Sequence, residues 1–277
     1  MKYDLFLEKN VSCIDARAVK GKSLRLKQSF SRLFFLFFVF CLLPPLKANT
    51  RTGAESPLNI GLHLKNMHLW QGSVVTAGPM MATSLEYVSK DDKFIAGLWG
   101  GASFNGDYKE FSYYLNYYFT ERLYLQLISH NNYSNSATPD IFSYDKYLSP
   151  NFLDLVIATT VSESFPLKVF TSTILFGQGG DYAQNEDGSV SNSYSHYVEL
   201  SYPLVKNAGT ELRPFIGGAF SLMTDKTFYS SQAALVNVGL TFNQELSLFS
   251  TPLPVSLTAF WNPYSGVGAL QIDIQLF

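Results

Sequence analysis

The chain has 277 residues, of which 47% are hydrophobic, 16% are aromatic and only 15% are charged. Residues 1–48 carry nine Lys/Arg and three Asp/Glu, so the remainder has 11 basic and 19 acidic residues and a net charge of −8. An acidic remainder argues against a nucleic-acid partner, and the position of both cysteines, Cys13 and Cys41, excludes disulfides and Cys₂His₂ zinc sites from it.

The first 48 residues are typical of a secretory leader. Basic residues precede the apolar run Leu33–Leu43, and Ala48 offers a small residue at a cleavage site. This run is too short to span a bilayer, which takes roughly 20 residues. Residues 1–23 are unusually long for a leader, and a start codon assigned too far upstream would explain them. We predict a leader at 1–48, a periplasmic lead-in at 49–58 and a transmembrane barrel at 59–277.

The rest of the chain alternates apolar and polar residues with a period of two, which predicts strands about ten residues long. The predicted strands are Asn59–Leu69, Met80–Ser89, Phe94–Phe104, Tyr108–Phe119, Leu123–Tyr133, Phe152–Val161, Leu167–Gly177, Ser193–Leu204, Leu212–Met223, Ala233–Glu245, Val255–Asn262 and Val267–Phe277. Short turns, predicted on the periplasmic side, alternate with mostly longer polar loops, predicted on the outer side, at Gln71–Gly78, Asn135–Pro150, Gln178–Asn192 and Thr224–Gln232. This pattern predicts an all-β fold, a closed antiparallel transmembrane β-barrel of about 12 strands.

The two faces of each strand have separate roles in such a barrel. Lipid cannot hydrogen-bond a bare backbone, so the sheet must close. In the tenth strand, Val236, Val238, Leu240 and Phe242 are predicted to face lipid, and Asn237, Thr241 and Asn243 the lumen. The predicted lumen-lining residues are few and mostly acidic: Glu86, Glu110, Gln126, Asp154, Glu199 and Asp273.

These acidic residues leave two alternatives for the lumen. If several converge in an open pore, they favour cations over anions. Alternatively, they pair with Lys109, Lys168 or Arg213 in a plugged lumen, because about twelve strands leave little room inside.

The last strand ends on an aromatic residue, Phe277, which we predict to be the signal read by the barrel-assembly machinery. Leu270, Ile272, Ile274 and Leu276 share one face of this strand. Phe277 lies on the other face with Gln275 and Asp273, whereas barrel signals commonly keep the last aromatic on the apolar face. Either Phe277 alone is recognised, or a bulge resets the register.

Three segments in the first half of the chain carry a family resemblance: Lys65–Gly72, Phe94–Gly101 and Glu110–Tyr114. Their order resembles that of TorF-like porins, whose members typically show an aromatic-Arg-Gly strand end, a Gly-x-Trp strand and an acidic-aromatic strand. The likeness covers roughly Asn59–Tyr118, and Gln71 stands where the family usually has Arg. The resemblance implies an outer-membrane barrel that forms a pore and has no catalytic residues.

Two kinds of non-enzymatic function fit these patterns. We expect a narrow porin or diffusion channel for small solutes or ions, in contact with outer-membrane lipid. The alternative is a non-conducting structural or surface-binding barrel with functional outer loops. Aromatic and carboxylate residues in Asn135–Pro150 suit sugars or surface partners, and equally suit a loop that packs inside the lumen.

An outer-membrane lipid hydrolase is the enzymatic alternative. His130 lies at the end of the fifth strand, but its neighbour at i+2 is Asn132, and the nearest suitable hydroxyl, Ser134, lies in the loop. Ser195 and His196 fall on opposite faces. His63 and His68, five residues apart, also fall on opposite faces and make poor joint ligands. We therefore predict no enzymatic activity, no cofactor and no metal.

Overall fold

The computed structural model describes residues 57–134, 140–145, 149–177 and 180–277. The predicted leader and most of the lead-in lie outside the described residues. Within the described ranges, seventeen β-strands form. None of these residues belongs to a helix long and apolar enough to cross a membrane. The strands are β1 Leu58–Lys65, β2 His68–Trp70, β3 Ser73–Thr76, β4 Met80–Val88, β5 Phe94–Ser103, β6 Lys109–Thr120, β7 Leu123–Asn132, β8 Phe152–Thr160, β9 Lys168–Gly177, β10 Tyr182–Gln184, β11 Val190–Asn192, β12 His196–Ser201, β13 Val205–Asn207, β14 Thr210–Phe220, β15 Ala234–Leu248, β16 Thr251–Asn262 and β17 Val267–Gln275.

The wall is one antiparallel sheet that closes on itself. The short strands β12 and β13 both pair with β14 and share one place in the wall. The first wall strand, β1, pairs with the last, β17. The wall therefore has twelve strand places, and the prediction of a closed antiparallel barrel of about 12 strands is confirmed. The hairpins β2–β3 and β10–β11 are separate from the wall.

Side chains alternate across the wall as a period of two requires. In β6, Leu115 and Tyr117 are exposed on the outside, whereas Ser112 and Asn116 are buried inside. Other wall strands also expose large apolar side chains on the outer face, at Ile60, Leu85, Leu98, Ile157, Leu200, Ile216, Leu240 and Leu270. An apolar outer belt around a polar interior is the arrangement that lets a barrel lie in lipid.

One predicted lipid-facing residue lies inside instead. Val236 is fully buried and packs against Tyr197 and Ala219. The register between β14 and β15 shifts here, because Gly217 pairs with Asn237 while Gly218 pairs with Leu235. Val236 is thus the extra residue of a bulge, which turns its side chain inward. The prediction that Val236 faces lipid was wrong.

The predicted first strand, Asn59–Leu69, is two elements. β1 ends at Lys65, and the side chain of Asn66 then continues the ladder on β17. Its Nδ2 donates to the carbonyl of Leu270 at 3.0 Å, and its Oδ1 accepts from the backbone nitrogen of Ile272 at 2.7 Å. The side-chain amide thereby occupies the edge of β17 while the backbone leaves the wall.

The chain then folds back as the hairpin β2–β3. Gln71 and Gly72 have φ angles of 45° and 83°, the left-handed pair that a two-residue turn between strands requires. We call residues 67–76 the enclosed hairpin, since its contacts are with residues inside the barrel. The prediction that Gln71–Gly78 is an outer loop was wrong over most of its length.

Candidate functional site

The enclosed hairpin reaches across the interior to the opposite wall. At its tip, the carbonyl of Gly72 accepts a hydrogen bond of 2.9 Å from Asn262 Nδ2. A Cβ atom on Gly72 would lie 2.1 Å from the carbonyl oxygen of Val236. Nearer its base, the backbone nitrogen of Leu69 donates to Gln271 Oε1 at 2.9 Å. The tip therefore needs glycine both for its φ angle and for its close approach to β15.

Trp70 is the main apolar contact of the hairpin with the barrel. Its ring stacks on Tyr229 with centroids 5.6 Å apart, and it lies 5.5 Å from His130 and 5.9 Å from Phe152. Tyr229 comes from the connection between β14 and β15, and its hydroxyl donates to Gln71 Oε1. Burial raises the pKa of Tyr229, so its hydroxyl stays protonated as a donor.

Two long connections are tied together beside this stack. Ser195 Oγ donates to the carboxylate of Asp181 at 2.5 Å and accepts from the backbone nitrogen of Phe228 at 2.7 Å. Burial raises the pKa of Asp181, although the hydrogen bonds from Ser195 oppose that shift. Phe228 and Tyr229 are thereby held against Trp70.

A first cavity of about 530 Å³ lies beside the enclosed hairpin, between it and strands β5–β9. Its charged and imidazole-bearing residues are Lys65, His68, Glu110, His130 and Asp154, and its aromatic residues are Trp70, Trp99, Tyr114, Phe152, Phe170 and Phe228. His68 stacks on Trp99 at 5.6 Å, and its burial lowers its pKa to about 4, with a smaller contribution from Lys65. His68 is therefore neutral near pH 7.

Three of the six predicted lumen residues line this cavity: Glu110, Gln126 and Asp154. Glu110 accepts hydrogen bonds from Tyr108 at 2.9 Å and Ser112 at 3.0 Å, and it lies 3.4 Å from His130 Nδ1. Gln126 Nε2 donates to Asn116 at 2.9 Å. The sequence thus identified three polar groups that the fold brings together.

Asp154 differs from the other two in having no hydrogen bond of normal geometry. Both of its carboxylate oxygens are buried, and the residue is 0% exposed. The nearest charged partner is His130, whose Nε2 lies 4.0 Å from Asp154 Oδ2 and is itself unpartnered. A buried carboxylate whose nearest charged partner is 4.0 Å away costs free energy, so this position is electrostatically strained.

A second cavity of about 400 Å³ lies towards the end of the barrel with short turns. Asp273 and His63 line it, and their side chains are 2.9 Å apart. Asp273 also pairs at 3.1 Å with Lys65, which lines the first cavity. The two cavities therefore meet at this ion pair. His63 and His68 both lie inside the barrel, so the prediction of opposite faces was wrong, because the chain leaves the wall between them.

Glu86 and Glu199 line neither of these two cavities. Each accepts a hydrogen bond from a tyrosine that lies across a glycine of the neighbouring strand. Tyr114 lies over Gly97 and donates to Glu86 at 2.6 Å. Tyr197 lies over Gly217 and donates to Glu199 at 2.5 Å. These glutamates are thus held by wall contacts. Two of the basic residues predicted to pair with these lumen acids have other contacts: Arg213 pairs with Glu211 at 2.7 Å, and Lys109 lies over the Tyr133 ring.

Phe277 is half exposed at the last wall position, and its carbonyl accepts from the backbone nitrogen of Leu62 at 3.0 Å. The contact completes the seam between the first and last strands. Its role as an assembly signal stays a prediction.

For the lipid-hydrolase alternative, Ser134 does not pair with His130. Ser134 Oγ donates to Asn132 at 2.6 Å, while His130 faces the carboxylates of Glu110 and Asp154. His196 lies 2.8 Å from Thr173, not beside Ser195, as opposite faces require. Among the described residues, no group of three or more His, Cys, Asp or Glu side chains could hold a metal ion.

The described part of the loop at 135–150 packs on the outer wall. Tyr144 donates to Ser129 at 2.5 Å, and its hydroxyl lies 2.6 Å from that of Tyr113. Ser129 and Tyr113 face outward, since their chain neighbours Ile128, His130, Ser112 and Tyr114 line the first cavity. For residues 140–145, the alternative of a loop packed inside the lumen was therefore wrong.

These features define a class: a closed twelve-stranded β-barrel with a hairpin folded across its interior. No model of a protein family matches the sequence, and no curated protein matches it either. Among solved structures, the chain is similar to a crystal structure of a double variant of OccD1 (OprD), with 10% sequence identity and a TM-score of 0.33. The match covers 80% of this chain, which spans 65% of the length of that one. The architecture therefore rests on the strand pairing itself.

Proposed function

We propose that this protein is a narrow diffusion channel of the outer membrane, restricted by the enclosed hairpin. The observation that supports the proposal most is the meeting of two interior cavities at the Lys65–Asp273 ion pair. One cavity lies beside the hairpin and the other towards the short turns, so this ion pair stands between them along the lumen. A solute small enough to pass this point needs no rearrangement of the wall.

The charges that face the interior support a preference for cations. The inward acidic residues are Glu86, Glu110, Asp154, Glu199, Glu211, Glu245 and Asp273, against the basic residues Lys65, Lys168, Lys206 and Arg213. An acidic excess lowers the barrier for cations and raises it for anions. The transported solutes are accordingly small cations or small polar molecules.

The same proposal includes the cellular setting. The apolar outer belt suits outer-membrane lipid, and the leader at 1–48 would deliver the barrel at 59–277 through the periplasm. Phe277 would be read by the barrel-assembly machinery. Membership of the TorF-like porins fits the same setting and remains part of the proposal. Fractionation of the native cell tests the location, and a soluble periplasmic pool with none in the outer membrane would contradict it.

Single-channel recording in planar bilayers tests the channel. We expect a small, cation-selective current from the wild type. Replacing residues 67–76 by a Gly-Ser linker of the same length should enlarge the current, because the wall is paired without those residues. The matched control replaces the exposed segment 185–189, a turn outside the wall, and should leave the current unchanged.

A non-conducting barrel with binding loops is the second candidate. The observation in its favour is the outer-wall contact of Tyr144 with Ser129 and Tyr113, which gives the loop at 140–145 a fixed place near the rim. Silence of both the wild type and the linker variant, across many clean insertions, would favour this candidate over the channel.

A further inference from the structure

We infer that the first cavity is a binding site for a small organic cation with an aromatic or aliphatic body. The cavity combines a surplus of buried carboxylate, aromatic walls and the room that a small molecule needs. The inference rests on the proposed function in one respect, since it names a class of solute for the same lumen. The binding itself does not require that the barrel conducts.

The charges around the cavity leave a negative surplus. Glu110 and Asp154 are the carboxylates, and Lys65, His68 and His130 are the groups that could neutralise them. Lys65 is already paired with Asp273 at 3.1 Å, and His68 is neutral near pH 7 because burial lowers its pKa to about 4. One imidazole, that of His130, is left between two carboxylates. An anion is therefore disfavoured here, whereas a cation is attracted.

Asp154 provides an independent reason for a cationic ligand. Its oxygens make no hydrogen bond of normal geometry, and the residue is fully buried at the wall of the cavity. A carboxylate in such a place is stabilised by a nearby positive charge even without contact, since the interior screens charges less than water does. The other deep carboxylate, Glu110, has three partners already. The missing charge is thus at the Asp154 side of the cavity.

The aromatic residues define the rest of the ligand. Trp70, Trp99, Tyr114, Phe152 and Phe228 all line the cavity. The faces of such rings attract ammonium and guanidinium groups and also bury apolar surface. A cavity of about 530 Å³ lies within the range of small-molecule sites. A compact amine with one ring or a short alkyl chain satisfies the charge and the walls together.

Tryptophan fluorescence of the folded, full-length mature barrel in detergent micelles tests the site. The sequence has three tryptophans, and Trp261 is exposed on the outer face of β16. In a Trp261→Phe background, only Trp70 and Trp99 report, and both line the cavity. The probes are 2-phenylethylammonium, 2-phenylethanol and phenylacetate, which share a ring and differ in charge.

We expect a saturable fluorescence change with the ammonium probe, binding at least about tenfold weaker for the alcohol, and none for phenylacetate. Asp154→Asn should weaken ammonium binding by about tenfold and leave the alcohol unchanged, because it removes charge and keeps shape. Glu163→Gln is the charge-removing control, since Glu163 is exposed in a turn and lines neither cavity, and it should bind like the parent. Glu110→Gln is a second charge-removing variant, should Asp154→Asn fail to fold.

Equal binding of the three probes, or an Asp154→Asn variant that binds the ammonium probe like the parent, would overturn the inference. Because binding in micelles is measured without any current, this test and the conductance test can fail independently. A silent barrel that binds the amine contradicts the channel alone. A conducting barrel that does not bind it contradicts the site alone.

Discussion

The barrel wall and the enclosed hairpin are both antiparallel β-structure, but they are held in place differently. Each wall strand except the three-residue β13 pairs on both sides, and β15 and β16 alone share eleven registered pairs. The hairpin pairs only within itself, over three registered positions, and its main polar ties to the barrel are made by Gln71, Gly72 and Leu69. Its main apolar tie to the barrel is the packing of Trp70 against His130 and Tyr229.

This difference means that the hairpin can be released without opening the wall. The backbone ladder of the wall is complete in the absence of the hairpin, so its stability depends chiefly on pairing and on the fit of the outer belt to lipid. Docking of the hairpin depends on a few side-chain contacts and a glycine tip. Substitutions in the two regions should therefore affect different measurements: unfolding of the barrel for the wall, and conductance for the hairpin.

The largest expected effect is on the wall. Leu240→Arg puts a charge on the outer face, where Leu240 is 39% exposed, and should destabilise the barrel in lipid vesicles by about 2–4 kcal/mol if it lies near the bilayer midplane. Thr241→Arg is the matched variant. Thr241 faces inward beside Thr258, and its substitution should cost less than about 1 kcal/mol. Equal costs by urea unfolding would show that the inside and outside of β15 are assigned wrongly.

The wall strands were predictable from sequence because alternate side chains face lipid and the polar lumen, which gives each strand an apolar–polar period of two. Eleven of the predicted strands correspond to wall strands within a few residues at each end, and Leu240 and Thr241 lie on the predicted faces. Val236 could not be placed this way, because the bulge opposite Gly217 and Gly218 leaves no trace in the alternation.

The enclosed hairpin was missed for a different reason. Its strands have three and four residues, far fewer than the roughly 9–11 that cross a bilayer, so β2 was predicted as the end of the first strand and β3 as part of a loop. The signal that could have revealed it is a glycine turn, Gln71–Gly72, between two short apolar stretches. Of the candidate site, Glu110, Gln126 and Asp154 were found because polar residues stood out on their strands. Trp70 and His68 were not, because nothing in their spacing says that the chain turns inward.

The next effect concerns the hairpin tip. Gly72→Ala should displace the hairpin, since the new Cβ would lie 2.1 Å from the carbonyl oxygen of Val236. The left-handed φ and the lost hydrogen bond from Asn262 together cost docking about 2–3 kcal/mol. We expect a larger single-channel current with an unchanged unfolding midpoint of the wall.

Gly106→Ala is the matched control for this variant. Gly106 has nearly the same φ, 84°, but a Cβ there would meet nothing within 4 Å. It should leave the current unchanged. If both variants enlarge the current, or neither does, the close approach of the tip to β15 does not restrict the lumen.

A smaller, pH-dependent effect should act through His68, which lies in the enclosed hairpin and not in a wall strand. Burial lowers its pKa from 6.5 to about 4 when the hairpin is docked. The released hairpin therefore takes up a proton at a higher pH than the docked one. Docking is fully stabilised above pH 6.5 and weakens as the pH falls towards 4, by about 2 kcal/mol at pH 5.

We accordingly expect the wild-type current to rise between pH 7.5 and pH 5. His68→Gln should abolish the part of the rise that comes from this imidazole, whereas His196→Gln, on the outer face beside Thr173, should keep it. A pH response identical in the wild type and in His68→Gln would assign the effect to other groups and contradict a role for His68 protonation.

The smallest expected effect isolates one tie between hairpin and wall. Gln271→Ala removes the acceptor for the backbone nitrogen of Leu69, a bond of 2.9 Å, and leaves the outer face of β17 untouched. A single neutral hydrogen bond contributes about 0.5–1.5 kcal/mol, so the open fraction should rise by no more than about tenfold. Gln275→Ala is the control on the same strand and the same face, since Gln275 lines the second cavity and touches no part of the hairpin bond. A rise in open fraction with Gln271→Ala and none with Gln275→Ala would show that this one hydrogen bond helps to hold the hairpin in place. Equal effects would instead mean that the lumen responds to any loss of a polar side chain from β17, and would contradict a specific role for the bond to Leu69.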